Sequence, residues 1–128
     1  MWDKALECGI PSIDSEHKEL FRQVGILMDE SRSDRAATTL DFLSGYVVKH
    51  FTHEQIMHKA SKYPASAAHK EMHDRFVVVY SSLRAEYERK GNNPETLIKI
   101  IKTIELWLRD HIMGMDCDFA EYYKKLNQ

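Results

Sequence analysis

Turn-forming residues are scarce in this sequence. Five glycines and three prolines are spread over 128 residues, so the chain has few natural reversal points and long helices are expected between them. Long apolar runs are missing too: no stretch approaches the roughly 18–20 residues of a membrane span. The opening Met1-Trp2-Asp3-Lys4 lacks the basic-then-apolar pattern of an export signal. There is no cationic excess. The formal net charge of −2 gives no electrostatic case for nucleic acid or an anionic membrane as a partner. These absences predict a cytoplasmic protein. Cysteine is sparse as well. Cys8 and Cys117 lie far apart in sequence, and in a reducing compartment they read as free thiols, Cys8 packing an N-terminal arm and Cys117 serving as a small buried hydrophobe, with a redox-active thiol as the alternative for Cys117.

Histidine is the residue in surplus, with seven in the chain. Length and a 43% hydrophobic content suit one domain, residues 1–128, around one core. An irregular arm is expected through Pro11, packed by Trp2, Leu6 and Ile10. Ser12 or Asp14 then offers an N-cap. Leu20, Phe21, Val24, Leu27 and Met28 follow at helical spacing, with His17 on the same stripe, to an end near residues 31–33. Asp34 is the next candidate cap. A long second helix carries Leu40, Leu43, Val47, His50, Phe51, Glu54 and Met57 on one face to about Ser61, where Tyr63-Pro64 breaks it.

The third helix starts near Ala65 or Ser66. Its stripe is His69, Met72, His73, Phe76, Val79, Tyr80, Leu83 and Tyr87, and Gly91-Asn92-Asn93 ends it. The β-branched run Val77-Val78-Val79 opposes helix formation only weakly. Asn93-Pro94 reads as N-cap and first residue of a fourth helix, with Leu97, Ile98, Ile101, Ile104, Leu108 and His111 inward. Gly114 interrupts the pattern, and a short last helix spans about 116–126. The expected fold is all-α: an antiparallel up-down-up-down four-helix bundle with an N-terminal arm and a short C-terminal helix.

Each long helix puts histidine on its core stripe. In order these are His17, His50 with Glu54, His69 with His73, and His111 with Asp116. A four-residue step stacks two side chains on one helical face. A five-residue step turns about 140°, so His111 and Asp116 cannot both point inward from an undisturbed helix. A break or bulge is predicted at Gly114. One inward histidine is commonly a satisfied core residue, but seven polar groups in an apolar bundle need a shared partner. Met57, Met72, Met113 and Met115 are read as core filling rather than as ligands. His53-Glu54 resembles the start of a zinc-protease motif, yet the fifth position is Met57, so the motif is rejected and His53 and His58 are assigned to the solvent side. Glu16 is read as an exposed acid at a helix start, with an effect on the neighbourhood of His17 as the alternative, and residues 84–90 as a solvated face.

The ordered set His17, His50/Glu54, His69/His73, His111/Asp116 resembles the hemerythrin family, in particular its single-domain bacterial members. The resemblance extends to Gly9-Ile10, Ile13-Asp14, Lys18, Leu20-Phe21, Tyr63-Pro64 and Trp107-Leu108 and covers essentially the whole chain. It implies a non-haem di-iron site with an oxo or hydroxo bridge. One iron takes His69, His73 and His111, the other His17 and His50, and Glu54 and Asp116 bridge them. With two six-coordinate irons, these ligands and one bridging oxygen leave a single position open, on the iron with two histidines, where O2 binds reversibly. Phe51, Trp107, Leu108 and Ile112 stand at the positions of the family's apolar O2 pocket, which shields bound O2 from water. Glu16 stands where many relatives have glutamine.

The implied function is reversible O2 binding for storage, transport or delivery, without catalytic turnover. The histidine-rich shell supports this, because ferritin-like oxidases use several glutamates and Glu-x-x-His pairs. The implied partners are O2 and an O2-consuming enzyme or signalling protein. The alternative is an O2- or redox-sensing module acting through a partner protein. An oxidase- or peroxidase-like enzyme and an iron-buffering protein are further rivals.

Overall fold

The computed structural model describes residues 2–29, 35–91 and 93–127. After a single 3-10 turn at Lys4–Leu6 come α1 (Pro11–Asp29), α2 (Ala36–Ser61), α3 (Ser66–Arg89) and α4 (Pro94–His111). A π-helical turn, Ile112–Asp116, then leads into α5 (Cys117–Leu126). The four long helices form a closed ring of neighbours: α1 packs on α2, α2 on α3, α3 on α4, and α4 back on α1. This is the helical bundle expected from the four apolar stripes. None of the described helices is long and apolar enough to cross a membrane.

The stripes bury as their 3.6-residue period requires. Leu20, Phe21, Val24 and Leu27 of α1 meet Leu40, Leu43 and Val47 of α2 and Leu97, Ile101, Ile104 and Leu108 of α4 in one core. Each stripe has a width limit, and residues at its edge fall outside. Met28, Val79 and Ile98 were expected inside but are 47%, 46% and 45% exposed. Ile100 takes the buried place instead of Ile98, because the two differ by about 200° around the helix. Met113 likewise points outward, while Met57, Met72 and Met115 are only partly buried.

One helix end is set by a different residue than expected. α1 begins at Pro11, with the Asp14 amide already donating to the Ile10 carbonyl at 2.9 Å. Neither Ser12 nor Asp14 is therefore its N-cap. The Asp14 carboxylate turns back and accepts from the amides of Cys8 (2.8 Å) and Gly9 (3.0 Å), which fixes the arm on the helix. Gly9 has φ of 100°, a left-handed conformation that favours glycine. The expected cap at Asp34 and the helix end at 31–33 lie outside the described residues. Asn93 caps α4 as expected, its side-chain oxygen accepting from the amides of Glu95 and Thr96.

The two cysteines are not free thiols. Cys8 and Cys117 form a disulfide, Cα–Cα 4.8 Å, across a sequence separation of 109 residues. Spacing along the chain could not show this proximity. It arises because Leu6, Cys8 and Ile10 bury the arm in the core, and Lys124 of α5 donates to the Cys8 carbonyl at 2.9 Å. By chain entropy alone, closing so long a loop contributes on the order of 4–5 kcal/mol.

Candidate metal centre

All seven residues of the ordered set are buried, and they converge. Two groups of ligand atoms form. One is Glu54, His69, His73, His111 and Asp116; the other is His17, His50, Glu54 and Asp116. Glu54 and Asp116 belong to both. Their oxygens divide between the groups. Glu54 Oε1 lies 2.6 Å from His50 Nε2, while Oε2 lies 3.3 Å from His69 Nε2. Asp116 Oδ2 lies 2.9 Å from His17 Nε2, while Oδ1 lies 2.8 Å from His69 Nε2 and 3.0 Å from His111 Nε2.

Asp116 reaches this position through the π turn. In an α-helix it would stand about 140° from His111, but the wider turn of Ile112–Asp116 brings both to the same side. The sequence placed the irregularity correctly, and the physical cause differs. Gly114 is not in a left-handed conformation, and an added Cβ there meets nothing within 4 Å. Gly114→Ala should therefore keep the turn and the ligand geometry and raise stability by up to about 1 kcal/mol. Chemical unfolding together with metal analysis checks this; loss of metal would show that glycine itself is required.

The donors do not satisfy one another. Both oxygens of Glu54 and of Asp116, and both ring nitrogens of His17, are buried without an aligned hydrogen bond. His69 and His73 each bring Nε2 close to His111 Nε2, at 2.9 and 3.1 Å. Three ring nitrogens meeting in this way face a common point, which a single shared proton cannot fill. Five imidazoles and two carboxylates, arranged as two groups with common acids, fit two cations of the kind that prefer nitrogen and oxygen donors.

Without a cation, protons carry the compensating charge. Burial opposes protonation of His50, but the neighbouring carboxylates of Glu16 and Glu54 outweigh it and push the pKa up to about 10. Burial likewise opposes protonation of His69, and Asp116 and Glu54 outweigh it, pushing the value up to about 9. Burial would raise the Asp116 carboxyl, yet His111, His17 and His69 hold it well below its usual range. At His73 burial, with repulsion from His69 and His111, outweighs the pull of Glu54 and Asp116 and pushes the value down to about 3.

A match to the family model described as "Hemerythrin HHE cation binding domain" covers residues 8–123. The chain belongs to the hemerythrin family. It is 31% identical over 115 residues to myohemerythrin of Theromyzon tessulatum, covering 90% of this chain and 86% of that protein. It is 30% identical over 133 residues to bacteriohemerythrin of Stenotrophomonas maltophilia (strain R551-3), covering 100% of this chain and 84% of that one. A hemerythrin-like protein of Naegleria gruberi is 30% identical over 118 residues, with 92% and 88% covered.

Around this hemerythrin core, aromatic rings brace the histidines. Phe51 stacks on His73 with centroids 3.8 Å apart, and Trp107 stacks on His111 at 4.3 Å. Phe76 packs against Trp107. Leu108 and Ile112 are buried beside them. Phe51 and Trp107 thus lie face-on to the three-histidine group, while the ring of Phe51 is 6.0 Å from that of His50.

Three surroundings differ from the sequence reading. His58 is fully buried rather than on the solvent side. Its ring packs against Phe119, His69 and Tyr63 at 4.3, 4.5 and 5.0 Å, and burial pushes its pKa down to about 4. The signal was present: His58 follows Glu54 by the same four-residue step that separates Glu54 from His50. His53 is on the rim, 36% exposed, but it is not idle. Its Nδ1 donates to Glu16 Oε2 at 2.8 Å, and His50 Nδ1 donates to Glu16 Oε1 at 2.7 Å. A carboxylate can only accept here, so His50 carries a proton on Nδ1 and turns Nε2 toward the centre, where a metal would displace the second proton. Glu16 is therefore not a solvated helix-start acid. No helical period could reveal this contact, which crosses from α1 to α2. Glu16→Ala should weaken metal binding by about 10–100-fold, and Glu16→Gln should recover most of it by keeping an acceptor. Chelator competition reads both.

Proposed function

We propose that this hemerythrin-family chain reversibly binds O2 at a non-haem di-iron centre, for storage, transport or delivery, without obligatory turnover. The observation that carries the reading is the division of Glu54 and Asp116, one oxygen of each toward either histidine group. His69, His73 and His111 would hold one iron and His17 and His50 the other, with both acids shared. Bound ferrous iron would supply electrons to O2 and take them back on release. The chain's own residues do the rest. Glu16 orients His50, and Phe51 and Trp107 hold the rings of His73 and His111. Phe51, Trp107, Leu108 and Ile112 would form the apolar wall that keeps water from the O2 side. The cytoplasm is the compartment of this reading. The disulfide makes it testable, because a permanently reducing compartment would hold both cysteines as thiols.

The test is anaerobic reduction of the iron-loaded protein followed by O2. A visible charge-transfer band that appears with O2 and vanishes on its removal, with two irons per chain, is expected. Rapid irreversible decay with consumption of peroxide would favour an enzyme, and tight zinc without any O2-dependent band would sink the reading.

A sensing module acting through a partner protein is the second reading. The observation that favours it is an apolar groove between α2 and α3, flanked by Val48 and Val77, which are 54% and 38% exposed. Changing both valines to aspartate should then abolish partner response while leaving the O2-dependent band intact.

A further inference from the structure

The Cys8–Cys117 disulfide sits against the turn that presents Asp116. Cys117 is the residue immediately after Asp116. The sulfur of Cys8 lies 3.8 Å from the carbonyl oxygen of Ile112, the first residue of the π turn. The bond therefore tethers the far end of the π turn covalently and lays a sulfur against the carbonyl of its first residue. Cys8 Sγ also falls within 4.8 Å of a ring nitrogen of His17, whose Nδ1 is buried without a partner.

We propose that this disulfide is a reversible thiol-exchange site that controls how firmly the centre holds iron, with low-molecular-weight thiols as the reductant. The inference rests on the di-iron reading of the same residues.

Both redox states are accommodated by the fold. The arm does not depend on the sulfur bond for its position. The Asp14 carboxylate holds the amides of Cys8 and Gly9, Lys124 holds the Cys8 carbonyl, and Leu6 and Ile10 are buried. A reduced Cys8 would gain a thiol proton, and two carbonyl oxygens already stand 3.8 Å from its sulfur, those of Leu6 and Ile112. A weak S–H donor finds acceptors there without rearrangement. The sulfurs stay in register, so the bond can re-form.

The chemistry balances with one named reagent class. Cys117 is partly exposed and Cys8 is buried, so a small thiolate attacks the sulfur of Cys117. The bond between the cysteines breaks, Cys8 leaves and takes up a proton, and Cys117 is joined to the reagent as a mixed disulfide. A second thiolate attacks the reagent sulfur, releasing Cys117, which takes up a proton, and a small-molecule disulfide. Two electrons pass from two thiols to the protein. The reverse reaction uses the same small disulfide as oxidant. Reduction removes the covalent tether one residue beyond Asp116, so the carboxylate samples more positions and iron leaves faster.

The iron-loaded full chain should be equilibrated without O2 in glutathione buffers of graded thiol-to-disulfide ratio, then alkylated and weighed. Two thiols should appear together while the helical circular dichroism is unchanged. Iron transfer to a chelator should then be about 10-fold faster than from the disulfide form. A Cys8→Ser, Cys117→Ser variant should transfer iron at the faster rate in every buffer, which separates exchange at this bond from iron extraction by glutathione. Thiols that appear only after denaturation would overturn the proposal, as would equal transfer rates from the two wild-type forms. Should the double variant fail to fold, the wild-type thiol count and a transfer rate measured after removing glutathione decide the matter. Should iron transfer respond to the thiol ratio while no O2-dependent band forms in either state, the exchange site stands and the O2-binding reading falls.

Discussion

Asp116→Ala is expected to leave a folded helical chain that retains at most one of two irons and shows no O2-dependent visible band. Asp116 sends Oδ2 toward His17 and Oδ1 toward His69 and His111, so truncation removes an anionic donor from both metal groups at once. Loss of a group that merely orients a ligand costs about 10–100-fold in metal affinity, and loss of a shared ligand should exceed that. Asp116→Asn separates charge from shape. Its single carbonyl oxygen can serve only one group, and one iron should survive. Metal analysis after dialysis, paired with circular dichroism, reads both variants. Two irons per chain in Asp116→Ala would remove Asp116 from the ligand set.

Stripping the metal should expose a loss of stability toward alkaline pH that the iron-loaded protein lacks. In the metal-free fold, His50 and His69 titrate at about 10 and about 9, against an ordinary 6.5. They bind protons more tightly folded than unfolded. Their contribution is complete below about pH 6.5 and is lost as pH rises through 9 and 10. His58 and His73 act in the opposite sense. Pushed down to about 4 and about 3, they are neutral in the fold and draw the chain toward unfolding as pH drops below about 6.5. Glu54 and Asp116, both lowered, add an acid limb beneath the ordinary carboxylate range. The metal-free chain should therefore be most stable near pH 6.5. Bound iron occupies the nitrogens that would otherwise lose protons, and it adds mass-action stability of its own. Urea unfolding at pH 6.5 and 9 should show a falling midpoint for the metal-free chain and a steady one for the loaded chain. Equal decline in both would contradict the protonated cluster.

Most of the bundle and the convergence of the seven polar residues were readable from spacing. Period does this well where a stripe is broad and apolar, as from Leu40 through Val47 to His50 and Glu54 in α2. It fails at a stripe's edge, where Ile98 and Val79 differ from buried neighbours by a fraction of a turn. It fails wholly for contacts between elements. Nothing within α1 says that Glu16 meets His50 and His53, and nothing in the sequence places the arm's Cys8 beside Cys117. His58 is a different case: it stands one four-residue step beyond Glu54, so helical period alone places it on the buried face. At Gly114 the location was right and the reason was not, since the π turn widens the helix without using glycine's special freedom.

The sharing of Asp116 also sets an order of assembly. Six of the seven residues, from His17 to His111, are made before it, yet neither group is complete until the π turn docks. A nascent chain that has folded three helices would hold scattered histidines and no finished receptor for iron. On the di-iron reading, metal loading should be a late event in the life of each molecule, following the docking of the last turn.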